Sequence, residues 1–152
     1  MSFPNGCHVS EVEIDPETGL LTIIGYYAVD DVGNVFQKNI VEGQIHGGIV
    51  QGFGQILGER VIYDNNGQLL TGSFMDYPIP RADEIPPLAV AHHTVPCTTN
   101  PLGVKGAGES GVAGALPSTY SAMLDALATR GITDFELPAT PVRLWSVLQP
   151  TR

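Results

Sequence analysis

Positive charge is scarce in this chain. Seven lysines and arginines stand among 152 residues, against 16 aspartates and glutamates, for a formal charge of −9. The seven are scattered, so no basic patch forms and nucleic acid is not expected as a partner. Cysteine is scarcer still. Cys7 and Cys97 are the only two, and neither belongs to a C-x-x-C pair. That argues against an iron–sulfur or zinc site held by this chain, and both are expected as buried, reduced thiols. Long apolar runs are missing: none reaches the roughly 18 residues of a membrane helix. The opening MSFPNGCHVSEVEID has neither the basic nor the apolar region of a secretory leader, so a soluble, cytoplasmic chain is expected. The four histidines show no H-x-x-x-H or H-E-x-x-H spacing, and no metal ligand is assigned. His46, His92 and His93 are expected in structural or surface roles. Ser10, Ser73, Ser110 and Ser118 lack a G-x-S-x-G frame, which argues against a serine hydrolase. Asp83 and Glu84, in a proline-rich loop, read as a solvated face.

What the chain does have is glycine and proline, 18 and 12 residues, gathered in residues 43–58 and 96–117 without a repeat. That much glycine suits backbone that something approaches closely. Apolar residues make up 43%, enough for one domain, 1–152, with a real core.

The fold class expected is α+β. Residues 7–14 and 20–29 read as strands joined by the turn Asp15-Pro16-Glu17-Thr18-Gly19. Residues 30–39 read as a polar connection. Residues 43–63 have helical periodicity, with Ile45, Ile49, Gly52, Phe53 and Ile56 on one face. Beside that stripe run Gln44, Gly48, Gln51 and Gln55. The glycines make this a poor helix in isolation, so tertiary packing must hold it. Asp64-Asn65-Asn66-Gly67 marks a turn between residues 60–63 and 68–74. Residues 88–95 suit a further strand. Residues 112–130 suit a second helix with Leu116, Tyr120, Met123, Leu124 and Leu127 inward, Pro117 in its first turn or at a kink, and Gly131 as its stop. Residues 142–148 suit a short closing helix.

The strongest local feature is GVKGAGESG at residues 103–111. It holds G-x-G-x-x-G at Gly106, Gly108 and Gly111, but no strand leads into it and the chain is no β-α-β alternation, which argues against dinucleotide binding. A helix beginning near Ser110 would instead aim free N–H groups and a positive dipole end at the loop. Glu109 would stand there, framed by backbone, able to act as a general base given a proton donor within reach. The plainer reading is that Glu109 caps the helix and pairs with Lys105. The amides of Gln44, Gln51 and Gln55, each both donor and acceptor, suit a polar cofactor; the plainer reading is a satisfied core or interface network.

Three segments together resemble one family: VEGQIHGGIVQGFGQ at 41–55, GVKGAGESG at 103–111 and LPATP at 137–141. In that order and spacing the chain resembles the C-terminal part of the molybdopterin-binding large subunit of the xanthine dehydrogenase, aldehyde oxidase and carbon monoxide dehydrogenase family, from FPNGCH at 3–8 onward. It departs from the pattern at Gln37-Lys38-Asn39, where the family has an Asn-Pro pair. The resemblance implies a molybdopterin-type molybdenum cofactor shared with an upstream portion, with iron–sulfur and FAD groups only on partner domains or subunits. It implies that Glu109 is the base, taking a proton from a hydroxyl on the cofactor before oxygen attacks an electron-poor carbon of a small-molecule substrate. It places Gln51 against the pterin, with Gly52, Gln55, Lys105, Gly106, Ala107 and Gly108 beside the cofactor. It further implies an inactive isolated chain. A non-catalytic module that kept the fold is the alternative, and in the carbon monoxide branch the carbon chemistry differs.

Overall fold

The computed structural model describes residues 2–149. Two strands open the chain, β1 (Asn5–Ile14) and β2 (Leu21–Asp31). Their turn is closed by Asp15, whose carboxylate accepts the Glu17 N–H at 2.9 Å and the Thr18 hydroxyl at 2.6 Å. Gly19 completes the turn at φ 73°, a left-handed conformation that favours glycine. Helix α1 (Lys38–Leu57) follows, then a long excursion, strand β3 (Leu88–His92), helix α2 (Ser110–Ala128) and helix α3 (Pro141–Leu148). The sheet order is β1-β2-β3, with β1/β2 antiparallel and β2/β3 parallel. The α+β expectation holds.

The β1/β2 register shifts between Glu11 and Val12: Glu11 stands opposite Gly25 and Val12 opposite Ile23, so Ile24 is left over. An extra residue reverses the in-and-out alternation beyond it. Leu21 and Ile23 are buried before the bulge; Tyr26, Ala28 and Asp30 are buried after it. On β1 the inward parity falls to His8, Ser10, Val12 and Ile14. Cys7, one place off that parity, is exposed, and Cys97 is half-buried. The expectation of two buried thiols is therefore corrected.

Helices α1 and α2 lie against this face. Ile45, Ile49, Phe53 and Ile56 from α1 join Ala115, Met123 and Leu127 from α2 and the β2 residues in one core. The helices meet backbone to backbone. A Cβ at Gly111 would fall on the Ile45 carbonyl oxygen, and one at Gly48 would lie 2.8 Å from the Val112 nitrogen. This explains why the buried stripe of α2 is Gly111, Ala115, Thr119, Met123 and Leu127. The expected Leu116, Tyr120 and Leu124 are only half-buried beside it.

Other boundaries moved too. Strand β2 runs on through Asp30 and Asp31, both buried, where a polar connection was expected. Helix α1 starts five residues before residue 43 and ends at Leu57, where the Gly58 N–H returns to the Gly54 carbonyl. Strand β3 stops at His92. Helix α2 starts at Ser110, as the glycine loop suggested, but ends at Ala128, with Pro117 inside it rather than in its first turn. The turn at 64–67 forms, but its flanks meet in the isolated bridge Tyr63–Leu69, with the Ile62 N–H donating to the Thr71 hydroxyl at 3.0 Å, rather than in a strand pair. No helix among the described residues is long and apolar enough to cross a membrane.

Candidate functional site

The loop at residues 103–109 is tied down at its start and open at its end. Gly103, at φ 65°, offers its carbonyl to the Asn34 and Cys97 N–H groups at 2.9 and 3.0 Å. The Lys105 N–H reaches the Val32 carbonyl at 2.9 Å. The Lys105 ammonium is taken up by Asp31, with side chains 10% and 5% exposed. The plainer pairing of Lys105 with Glu109 is thus not what forms. Asp31 also accepts the N–H groups of Gly33 at 2.9 Å and Val95 at 3.1 Å. Burial pushes its carboxyl up, but the Lys105 ammonium and these two N–H groups pull it further down, from 3.8 to about 2.

Lys105→Met leaves Asp31 charged and without its cation, and lowers stability by roughly 2–3 kcal/mol near neutral pH. A carboxyl held below its ordinary value contributes stability at higher pH and loses it as pH falls through the window from 3.8 to about 2. The gap in denaturant midpoint between wild type and Lys105→Met should therefore shrink in that window. A gap of constant size down to pH 2 would count against the pairing.

Past Lys105 the loop is bare. A Cβ at Gly106 or Gly108 would meet nothing within 4 Å. The Ser110 hydroxyl donates to the Ala107 carbonyl at 3.0 Å. Glu109 precedes the first residue of α2, and its carbonyl accepts the Ala113 N–H at 3.0 Å. Its side chain makes no capping hydrogen bond and is exposed. The carboxylate is thus uncommitted at the N-terminal, positive end of a 19-residue helix. It borders a cleft of about 540 Å³ whose other walls include Gly106, Gly108, Ser110, Ala113, Gly114, His8 and Asp30.

The structure does not bring every expected residue to that cleft. Gln44, Gln51 and Gln55 are exposed on α1, with no hydrogen bonds among the described residues, which argues against a satisfied core network. Between them Gly47 is open, with nothing within 4 Å of a Cβ. Gly52 is buried, where a Cβ would meet that of Ala115 at 2.5 Å, so its bareness serves the helix crossing. His46 and His93 are exposed. His92 lies 3.9 Å from Glu42, and among the described residues its ring nitrogens have no hydrogen-bond partner. Among the described residues no cluster of His, Cys, Asp or Glu could hold a metal ion. The polar residues that the sequence did not single out are His8, Tyr26 and Asp30. A clue was available in the pair Asp30-Asp31, which continues an apolar strand without a turn residue between.

Glu109 and its open glycines thus line the cleft, while the free amides of Gln44, Gln51 and Gln55 stand outside it on α1. Residues 1–86 match the family described as a molybdopterin cofactor-binding domain. The chain belongs to that family. It is 45% identical over 142 residues to the nicotine 6-hydroxylase large subunit of Paenarthrobacter nicotinovorans, covering 93% of this chain and 17% of that protein. It is 36% identical over 148 residues to the carbon monoxide dehydrogenase large chain of Hydrogenophaga pseudoflava, covering 97% and 18%. The quinoline 2-oxidoreductase structure from Pseudomonas putida 86 superposes with a TM-score of 0.91 at 41% identity, covering 95% of this chain and 18% of that one. The chain thus spans less than a fifth of the length of these relatives.

Proposed function

We propose that this chain is the C-terminal portion of a molybdenum hydroxylase, a single domain over residues 1–152 carrying its general base, Glu109. The observation that supports this most is the carboxylate itself: exposed, uncommitted, at a helix N-terminus, with open glycines on its approach. The residues present fit a molybdopterin-type cofactor. Gly106 and Gly108 leave room for close approach, and the free amides of Gln51 and Gln55 offer donors and acceptors to a pterin edge. Lys105 and Ala107 would contribute through the loop backbone, and Gly52 through the helix crossing that holds Gln51 in place. When bound, the cofactor supplies the water-derived oxygen and takes up the electrons of the oxidation. Glu109 accepts the proton released at the reacting hydroxyl, and the start of α2 holds it beside the open loop.

The remaining wall comes from an upstream molybdopterin-binding portion, with iron–sulfur and FAD groups on partner subunits. The relatives' names, a large subunit and a large chain, support such a division. An electron-poor N-heterocycle is the favoured substrate class over carbon monoxide or an aldehyde. The supporting observation is 45% and 41% identity to the nicotine and quinoline enzymes, against 36% to the carbon monoxide enzyme.

Reconstitution tests the reading. The purified chain alone should hold no molybdenum and show no turnover, since it supplies one wall only. Joined to its upstream portion it should bind molybdenum in equal proportion and place isotope from labelled water in the product. Stoichiometric molybdenum in the chain alone, or an assembled protein that binds none, would overturn it.

A further inference from the structure

The cleft beside Glu109 has a second polar wall that the base assignment leaves unused. The side chains of His8 and Asp30 are 4% and 2% exposed. His8 Nε2 lies 3.2 and 3.3 Å from the two Asp30 oxygens, and Nδ1 lies 2.7 Å from the Tyr26 hydroxyl. An ionised carboxylate only accepts, so Nε2 carries a proton and donates it to Asp30. Among the described residues the Asp30 carboxylate has no other hydrogen-bond partner.

Tyr26 extends this pair to α2. Burial pushes its phenol up to about 12, the Ser118 hydroxyl opposing the shift and the Asp30 charge reinforcing it, so the phenol stays protonated. Its oxygen lies 3.1 Å from Ser118 Oγ, which donates to the Gly114 carbonyl at 2.8 Å. The imidazole ring itself is seated on α2: a Cβ at Gly114 would fall on three atoms of the ring. Gly114 stands five residues beyond Glu109. The same cleft is lined by His8, Asp30, Gly114, Ala113, Ser110 and Glu109.

We infer that His8 is a positioning residue for Glu109. Held at both nitrogens and seated on Gly114, it joins the β1–β2 hairpin to the first two turns of α2. Among the described residues the Glu109 side chain makes no capping hydrogen bond, so the start of α2 sets where its carboxylate stands. Loosening that start spreads the carboxylate over several orientations, of which few reach the proton. This inference rests on the reading of Glu109 as the base.

Three variants test it. His8→Phe keeps a ring in place but leaves Asp30 without a hydrogen bond. Gly114→Ala displaces the ring without changing its chemistry. His8→Gln returns an N–H near the position of Nε2 and keeps the Asp30 bond. In the full chain, amide hydrogen exchange across residues 113–119 should accelerate about tenfold in His8→Phe and in Gly114→Ala, with α3 unchanged. His8→Gln should recover most of the protection. In the assembled enzyme the first two variants should lower kcat about tenfold at unchanged KM and molybdenum content, and His8→Gln should restore it. If His8→Phe loses its cooperative melt, Gly114→Ala carries the same comparison.

Unchanged exchange across 113–119 would overturn the inference. So would a rise in KM at constant kcat, or a failure of His8→Gln to rescue. The two readings separate cleanly. Faster exchange in His8→Phe together with full turnover in Glu109→Gln overturns the base assignment and leaves the coupling of His8 to α2 standing. Loss of turnover in Glu109→Gln with no effect of His8→Phe does the reverse.

Discussion

Glutamine in place of Glu109 should lower kcat of the assembled enzyme by about two to four orders of magnitude while leaving its molybdenum content intact. The substitution is nearly isosteric and removes no capping hydrogen bond, because among the described residues the side chain makes none. Its effect on folding is small: a surface carboxylate at a helix N-terminus contributes about 0.3–1 kcal/mol. What it removes is basicity. An amide cannot accept the proton, so the loss falls on the reaction step and KM should hold near its wild-type value. Turnover within twofold of wild type, with the cofactor bound, would sink the assignment. Molybdenum lost along with turnover would instead make Glu109 a binding residue.

The second large effect is on folding. Gly111→Val should destabilise the chain by about 3 kcal/mol or more, a fall in Tm of roughly 10 °C. The new Cβ falls on the Ile45 carbonyl oxygen and lies 2.9 Å from the Ile49 nitrogen and 3.1 Å from the Gly48 Cα. All three are backbone of α1, so no side chain can turn away and the helices must part. Separation would open the packing of Ile45 and Ile49 against Ala115, all fully buried. Gly106→Ala and Gly108→Ala are the controls. Both positions face open space at ordinary φ, so each should melt within about 0.5 kcal/mol of wild type. Equal melting of Gly111→Val and Gly108→Ala would refute the close crossing. The contrast separates two uses of glycine in one motif: Gly111 packs a helix, whereas Gly106 and Gly108 leave space beside the carboxylate.

That motif shows how far local pattern reaches. Glycines around Glu109 and the start of a helix at Ser110 were legible because both depend on neighbours within a few residues. The hairpin turn was legible for the same reason: Asp15 bonds Glu17 and Thr18, two and three places on. Helix α1 was legible in its apolar face but not in its ends. Lys38 and Asn39 look like loop, yet they form its first turn because Ile45 and Ile49 behind them are pinned in the core.

By itself the sequence determined the α+β class, the strand pair, both long helices and a carboxylate held in a glycine loop. Tertiary structure decided which charges meet and which faces turn inward. Lys105 pairs with Asp31, 74 residues away, rather than with its near neighbour Glu109. The pairing leaves Glu109 uncommitted, and it forms because the Lys105 N–H is already held to the Val32 carbonyl beside Asp31. One leftover residue, Ile24, reverses the parity of β2 and turns Tyr26 and Asp30 toward His8. A single-residue shift changes the face of every residue after it, yet it leaves no mark on composition or local propensity. Only the register against β1, settled by packing of the whole hairpin on α1 and α2, reveals it.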